Sequence, residues 1–143
     1  MQTTVLISPQ WTLDQLIASP TAKRAGIKEQ FQIDLTILNN LIISCKYLLN
    51  DLKIEFPNLV ITSGYRCKRL NDMVGGKIDS QHLTGQAFDI RNKNRTGLQK
   101  IWMFLRNEMD VDQVIMYNGF IHVSFVSFED NRNQFINLSK KGG

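Results

Sequence analysis

Apolar residues in the first half of the chain recur at helical spacing. Seven of them follow an i, i+3, i+4, i+7 pattern, which predicts a long core helix over about residues 33–53: Leu38, Leu41, Ile42, Cys45, Leu48, Leu49 and Leu52. Two shorter helices are predicted before it. Thr12 and Gln15 have the spacing of a capping box, and Ser19-Pro20 is a second helix start, with Gly26 as its stop.

After residue 58 the pattern changes to short apolar runs separated by turns. Strands are predicted at residues 59–62 and 86–90, and a short helix at residues 68–74. Another amphipathic helix, capped by Thr96, is predicted from its apolar positions: Leu98, Ile101, Trp102 and Leu105. Two further apolar runs at residues 112–117 and 120–126 are joined by Asn118-Gly119, a strong hairpin signal.

This order of elements predicts one α+β domain over residues 1–143. It should contain a small antiparallel sheet with helices packed on one of its faces. At 143 residues the chain is long enough to bury a substantial core.

Alternation along the strands separates polar residues from the core. On the last strand His122 shares a face with Phe120 and Ser124, while its sequence neighbours point the other way. Asp89 is likewise a polar residue between apolar neighbours on an earlier strand, so a sheet can bring it close to His122. His82 lies on a glycine-flanked loop, seven residues before Asp89, from which it can reach the same point.

His82 and His122 are the two histidines of the chain. Two imidazoles and a carboxylate would provide three zinc ligands and leave a fourth position open, as in catalytic zinc sites. A histidine on an apolar strand is also commonly a hydrogen-bonded core or edge residue, and Asp89 alone could belong to a turn. The residue types alone leave both interpretations open.

Composition narrows the possible partners. The net charge of +4 favours anionic ones, but the basic residues are scattered, so we expect no nucleic-acid face. Neither Cys45 nor Cys67 has a CxxC partner, which excludes a cysteine-rich zinc site. We see no signal peptide and no apolar stretch that could span a membrane, so we expect a protein made in the cytoplasm without stable membrane insertion.

Several ordered motifs resemble the zinc D-Ala-D-Ala carboxypeptidase family, which includes phage endolysins and shares its zinc fold with hedgehog signalling domains. The resemblance covers about residues 11–127, and the stretch Leu13–Ala22 also resembles single-domain phage and prophage members. The motifs that carry it are Ser63-Gly64-Tyr65-Arg66, Leu70-Asn71 with Val74-Gly75-Gly76, Ser80-Gln81-His82 with Gly85, Ala87 and Asp89-Ile90, and Ile121-His122-Val123-Ser124-Phe125.

The resemblance implies that His82, Asp89 and His122 bind Zn²⁺ and that Arg66 binds substrate. The planar fork of an arginine can hold a peptide carboxylate through two parallel hydrogen bonds. Ser80 is a candidate for hydrogen bonding to the substrate backbone, with loop capping as the alternative. A surface salt bridge is the alternative for Arg66.

One part of the family pattern is missing. Relatives usually carry a glutamate or aspartate three or six residues before the last histidine ligand, where this chain has Gly119 and Met116. Asp110, Asp112 and Tyr117 are the nearest titratable alternatives, and the sequence does not identify the base. If Met116 lies on the metal face, Met116→Glu should place a carboxylate near the zinc.

The function implied by the resemblance is a zinc-dependent peptidase that cleaves the peptide stems of bacterial peptidoglycan. A phage or prophage lysis enzyme of this kind would be monomeric and would act at the cell wall after release from the cytoplasm. The alternative is a zinc-containing wall-binding module with little or no turnover, because the usual catalytic carboxylate is absent. D,D-carboxypeptidase and L-Ala-D-Glu endopeptidase activities fit the same ligand pattern.

Overall fold

The structure is a computed structural model that describes residues 5–140. Its six α-helical segments are α1 (Leu13–Ile17), α2 (Pro20–Ala25), α3 (Leu35–Ser44), α4 (Asn50–Glu55), α5 (Lys68–Met73) and α6 (Leu98–Glu108). Its five strands are β1 (Leu59–Ser63), β2 (Ala87–Asn92), β3 (Gln113–Met116), β4 (Ile121–Ser124) and β5 (Gln134–Asn137). Short 3₁₀ helices span Lys28–Phe31 and Gln81–Thr84.

The two predicted helix starts near the N-terminus are confirmed. Thr12 accepts a hydrogen bond from the Gln15 amide, and the Gln15 side chain accepts one from the Thr12 amide, which completes the capping box before α1. Ser19 caps α2, whose first residue is Pro20, and Gly26 ends it with a left-handed φ of 69°. These local signals succeed because each satisfies backbone groups that a helix end leaves unpaired.

The predicted core helix is also present, with one irregularity. α3 runs into α4 through a π-helical segment, Cys45–Leu49. Leu41, Leu48, Leu49 and Leu52 are all fully buried, whereas Ile42 is 43% exposed, so most of the predicted stripe, but not Ile42, lies in the core.

The α+β fold class is confirmed, but the sheet is mixed rather than wholly antiparallel. Its strand order is β1-β2-β4-β3-β5. The first three pairings are antiparallel, whereas β5 pairs with β3 in parallel. The sequence reading missed β5, because this short edge strand has polar residues at both ends and only two partly buried apolar ones, Phe135 and Ile136.

The predicted cap of α6 is wrong. Gly97, with a φ of 76°, is the N-cap, and no side chain caps the helix. Thr96 instead donates its hydroxyl to the Asn94 side chain within the preceding turn. A threonine next to Asn and Gly has local turn partners that compete with a helix cap.

The two faces of the sheet have different environments. Apolar side chains from β2, β3 and β4 fill the core on one face: Phe88, Ile90, Val114, Met116, Ile121 and Val123. The opposite face carries Asp89, His122 and Ile115, and the loop that leads into the His82 turn borders it. Among residues 5–140 no helix combines the length and the apolar character that a membrane crossing requires.

Candidate metal centre

Strand register brings Asp89 and His122 side by side. Asp89 of β2 is paired with His122 of β4, and His122 is in turn paired with Ile115 of β3. The flanking residues of each strand alternate into the core, which leaves these side chains on the opposite face. The two predicted ligands on strands therefore lie next to each other because of the pairing register.

His82 reaches the same point from a tight turn. The turn begins at Ser80, whose hydroxyl accepts a hydrogen bond from the His82 amide, and ends at Gly85 with a φ of 75°. The left-handed conformation favours glycine there. The side chain of His82 is consequently buried beside the sheet, and only 2% of the residue is exposed.

A backbone carbonyl fixes the orientation of the His82 ring. Nδ1 lies 2.8 Å from the carbonyl oxygen of Gly64, an acceptor, so Nδ1 carries the hydrogen and donates it. The lone pair is then on Nε2, which faces Asp89. Outer partners of this kind set the tautomer of metal-binding histidines.

The distances between the three side chains fit a metal site. Asp89 Oδ1 lies 3.4 Å from His82 Nε2 and 3.2 Å from His122 Nδ1. One ligand atom from each residue lies within 4.8 Å of the other two. With metal–ligand distances of about 2.0–2.1 Å, the edge of a zinc tetrahedron is roughly 3.3 Å long. The donor set and its spacing therefore fit Zn²⁺.

Asp89 is a carboxylate under opposing influences. Burial raises its pKa, but the hydrogen bonds that the His122 and His82 rings donate when both ring nitrogens are protonated, and the positive charge of that form, outweigh burial and lower the pKa to about 2. Only 14% of its side chain is exposed. Asp89 therefore remains ionised at neutral pH, which is the state in which a carboxylate binds metal.

Arg66 completes the inner wall of the site. Its Nε donates to Ser63 Oγ at 3.1 Å, Nη1 donates to Asn71 Oδ1 at 2.9 Å, and Nη2 lies 3.6 Å from Asp89 Oδ2. Three contacts hold the guanidinium next to the three candidate ligands, and its side chain is only 14% exposed. Arg66 is thus partly buried, at the edge of the candidate site.

These side chains lie at the bottom of an open cleft of about 610 Å³. Its lining includes Arg66, Ser80, His82, Asp89 and His122, so the structure brings all five predicted site residues to one cleft. The sequence reading missed a further set of lining residues: Lys77, Asp79, Gln81, Gln113, Phe120 and Arg132. Most of these lie on loops, where spacing carries no information about direction.

The sequence comparison agrees with this geometry. The sequence model of the Peptidase M15 family matches residues 9–124. The chain belongs to the Peptidase M15 family. The predicted kinship is confirmed, and membership indicates a peptidase of a family that is typically zinc-dependent. None of the curated proteins compared with the chain matches it.

The two positions at which Peptidase M15 relatives were expected to carry a base provide none. Met116 pairs with Ile121 and is only 3% exposed, so it points into the core, away from the cleft. Met116 therefore does not lie on the metal face, and Met116→Glu would not place a carboxylate near the zinc. Gly119 lies in the hairpin turn with a φ of 94°.

The three alternatives named for the base differ in position. Asp110 accepts a hydrogen bond from Asn131 and does not line the cleft. Asp112 is 1% exposed, and five hydrogen bonds occupy its carboxylate. Tyr117 does line the cleft, with its ring stacked on Phe120 at a centroid distance of 4.8 Å.

Proposed function

We propose that this Peptidase M15 member is a zinc-dependent peptidase that cleaves the peptide stems of bacterial peptidoglycan. The observation that carries the proposal is the convergence of His82, Asp89 and His122 at the bottom of an open cleft, directly beside Arg66. Three protein ligands leave one coordination position of a zinc ion free, which is the arrangement of catalytic sites.

The protein would hold the metal through His82 Nε2, His122 Nδ1 and an oxygen of Asp89. Bound zinc would lower the pKa of a coordinated water toward about 7 and polarise the scissile carbonyl. The Gly64 carbonyl keeps the His82 lone pair directed toward the site. Arg66, held by Ser63 and Asn71, keeps a positive charge at the wall of the cleft.

Arg66 and Ser80 are the proposed substrate-binding residues. A guanidinium has five N–H groups, and the three contacts of Arg66 leave N–H groups that can bind a substrate carboxylate. Ser80 Oγ accepts from the His82 amide, but its own hydroxyl hydrogen can still be donated to a substrate carbonyl. Lys77 also lines the cleft, and the positive charges suit the carboxylate-bearing stems of peptidoglycan.

Proton transfer requires a group that faces the cleft. Besides Asp89, Asp79 is the carboxylate that lines the cleft in the part of the chain described, and it is exposed on the loop before the His82 turn. Tyr117 supplies a phenol to the same cleft. We propose Asp79 as the general base and Tyr117 as a hydrogen-bond donor to the developing oxyanion.

The biological setting is proposed from the resemblance to single-domain phage and prophage enzymes. A monomeric lysis enzyme would be made in a bacterial cytoplasm and would reach the wall after release. The bond cut is either the D-Ala–D-Ala bond or the L-Ala–D-Glu bond, since both activities share this ligand pattern.

A second candidate is a zinc-containing wall-binding module with little or no turnover. The observation that favours it is the lack of a carboxylate at positions 116 and 119, the first of which faces the core. Such a module would use the same cleft and Arg66, and would differ only in the chemistry that follows binding.

One experiment separates the two candidates. Zinc-loaded protein is incubated with purified peptidoglycan, with and without a chelator, and released fragments are identified by mass spectrometry while sedimentation measures binding. A peptidase releases stem fragments in a chelator-sensitive way, and their masses identify the bond. A binding module co-sediments without release. If the protein neither releases fragments nor co-sediments with peptidoglycan, both candidates are contradicted.

A further inference from the structure

A second cluster of polar residues lies beside the metal face and is not used by the proposed chemistry. Asp112 is at its centre. It immediately precedes β3, opposite the end of β4, and is 1% exposed. Its two oxygens accept five hydrogen bonds of 2.8–3.0 Å from Arg132, Gln81 and Ser124. This count exceeds the roughly four lone-pair sites of a carboxylate, so its acceptor capacity is full.

The protonation state of Asp112 agrees with this environment. Burial raises its pKa, but the hydrogen bonds from Arg132, Gln81 and Ser124 outweigh burial and hold the pKa well below its usual range. With its acceptor sites occupied and its charge paired, Asp112 is not available to take a proton from a substrate.

The contacts of Asp112 join segments that are distant in sequence. Arg132 donates its backbone amide and two guanidinium nitrogens to the carboxylate, which fixes the segment before β5. Ser124, at the end of β4, donates at 3.0 Å. Gln81, which donates at 2.9 Å, belongs to the turn that carries His82.

The Gln81 contact has a direct consequence for the metal site. His82 follows Gln81 in a single 3₁₀ turn, so the position of the Gln81 side chain limits the movement of the His82 ring. The turn is also held by local backbone bonds, such as Leu83 to Ser80 and Gly85 to His82, and by the amide of Arg66, which donates to the His82 carbonyl. The hydrogen bond to Asp112 is a side-chain contact that ties the start of the turn to the part of the sheet where β3 and β4 pair.

We infer that Asp112 is a positioning residue, which sets the place of His82 in the metal site through Gln81. The expected effect on zinc affinity rests on the proposed zinc-binding function, whereas the position of the turn does not depend on a metal. Outer partners of metal ligands contribute roughly 10–100-fold to metal affinity.

The test uses a pair of matched glutamine variants in the full chain. Gln81→Met removes the donor to Asp112 and keeps the size of the side chain. Gln134→Met removes a comparable hydrogen bond, from Gln113, on β5. Zinc affinity is measured by competition with a chelator, and ligand geometry by the visible absorption of the Co²⁺-substituted protein.

We expect Gln81→Met to weaken zinc binding about tenfold and to shift the Co²⁺ bands, with Gln134→Met unchanged in both. Asp112→Asn should shift the bands in the same direction, if it folds. Unchanged zinc affinity and an unchanged Co²⁺ spectrum in Gln81→Met would overturn the inference.

Amide hydrogen exchange in the metal-free protein separates this inference from the proposed function. Gln81→Met should increase exchange at Leu83 and Gly85 relative to Gln134→Met, because the turn loses one of the contacts that hold it to the sheet. If the unmodified chain binds no zinc but this increase occurs, the zinc function fails and the positioning role stands. If exchange at Leu83 and Gly85 is the same in both variants, Asp112 does not position the turn.

Discussion

Two aspartates of low exposure, the buried Asp112 and the partly buried Asp89, have opposite environments. Asp112 accepts five hydrogen bonds of ordinary length and has little remaining acceptor capacity. Asp89 has longer contacts of 3.2–3.6 Å to two imidazoles and a guanidinium. Hydrogen bonds saturate the first cluster, whereas the second has the spacing of ligands around a common ion. Burial and a low pKa are common to both, so neither property identifies the functional carboxylate.

The sharpest test of this difference removes one partner from each cluster. His122→Ala takes away a proposed ligand, so we expect zinc affinity to fall more than about a hundredfold, beyond the effect of an outer partner, and peptidase activity to disappear. Arg132→Ala removes a partner of Asp112 and should keep one zinc at saturating metal. Calorimetric titration with zinc measures both, and equal affinities would contradict the division into two clusters.

The next effect concerns the two faces of β3. Met116→Glu should bury an unpaired carboxylate in the core and destabilise the protein by about 3 kcal/mol, with no gain in activity. Ile115→Glu places the carboxylate on the cleft side of the same strand and should cost less stability. Thermal melts and peptide-release rates check both, and a more active Met116→Glu protein would show that the strand faces are misassigned.

Proton transfer gives an effect of similar size. Asp79→Asn should lower kcat roughly a hundredfold, the usual lower range for general base catalysis, and leave zinc affinity unchanged. Asp51→Asn, on the exposed side of α4, is the matched control. Steady-state kinetics on a stem peptide measures the effect. A full-rate Asp79→Asn enzyme would show that Asp79 is not the base, and Tyr117→Phe would be the next variant to measure.

Acid stability tests the ionic pairing of Asp89 in the metal-free protein. Its folded pKa of about 2 lies below the unfolded value of roughly 3.9, so its contribution is present above about pH 4 and is lost as pH falls toward 2. Asp89→Asn should cost about 2 kcal/mol at pH 6 and almost nothing near pH 2. Urea unfolding across this range measures the difference, and a constant difference would argue against ionic pairing of Asp89.

The smallest effect is expected at Arg66. Arg66→Lys keeps the charge but loses the planar fork, so KM for a stem peptide should rise about tenfold. Because Arg66 also contacts Ser63 and Asn71, a modest loss of about 1 kcal/mol in stability is expected as well. Normal KM with reduced stability would make Arg66 purely structural.

The sequence predicts the local parts of this protein well. The caps at Thr12 and Ser19 depend on neighbouring residues, and alternation places Asp89 and His122 each on the face opposite its apolar neighbours. The tertiary parts are harder to predict. The hydrogen bond from Gln81 to Asp112 joins residues 31 positions apart. The contact between the Gly64 carbonyl and His82 joins residues 18 positions apart, and β5 depends on parallel pairing with β3. None of these contacts has a local pattern.

The central claim is that His82, Asp89 and His122 hold one zinc ion in a peptidase cleft. Its most direct test is the zinc content of the purified protein and of two matched variants, Asp89→Asn and Asp112→Asn, after saturation with zinc and removal of the excess. The account predicts one zinc per chain for the unmodified protein and for Asp112→Asn, and almost none for Asp89→Asn. Equal zinc content in all three proteins, or none in the unmodified chain, would contradict it.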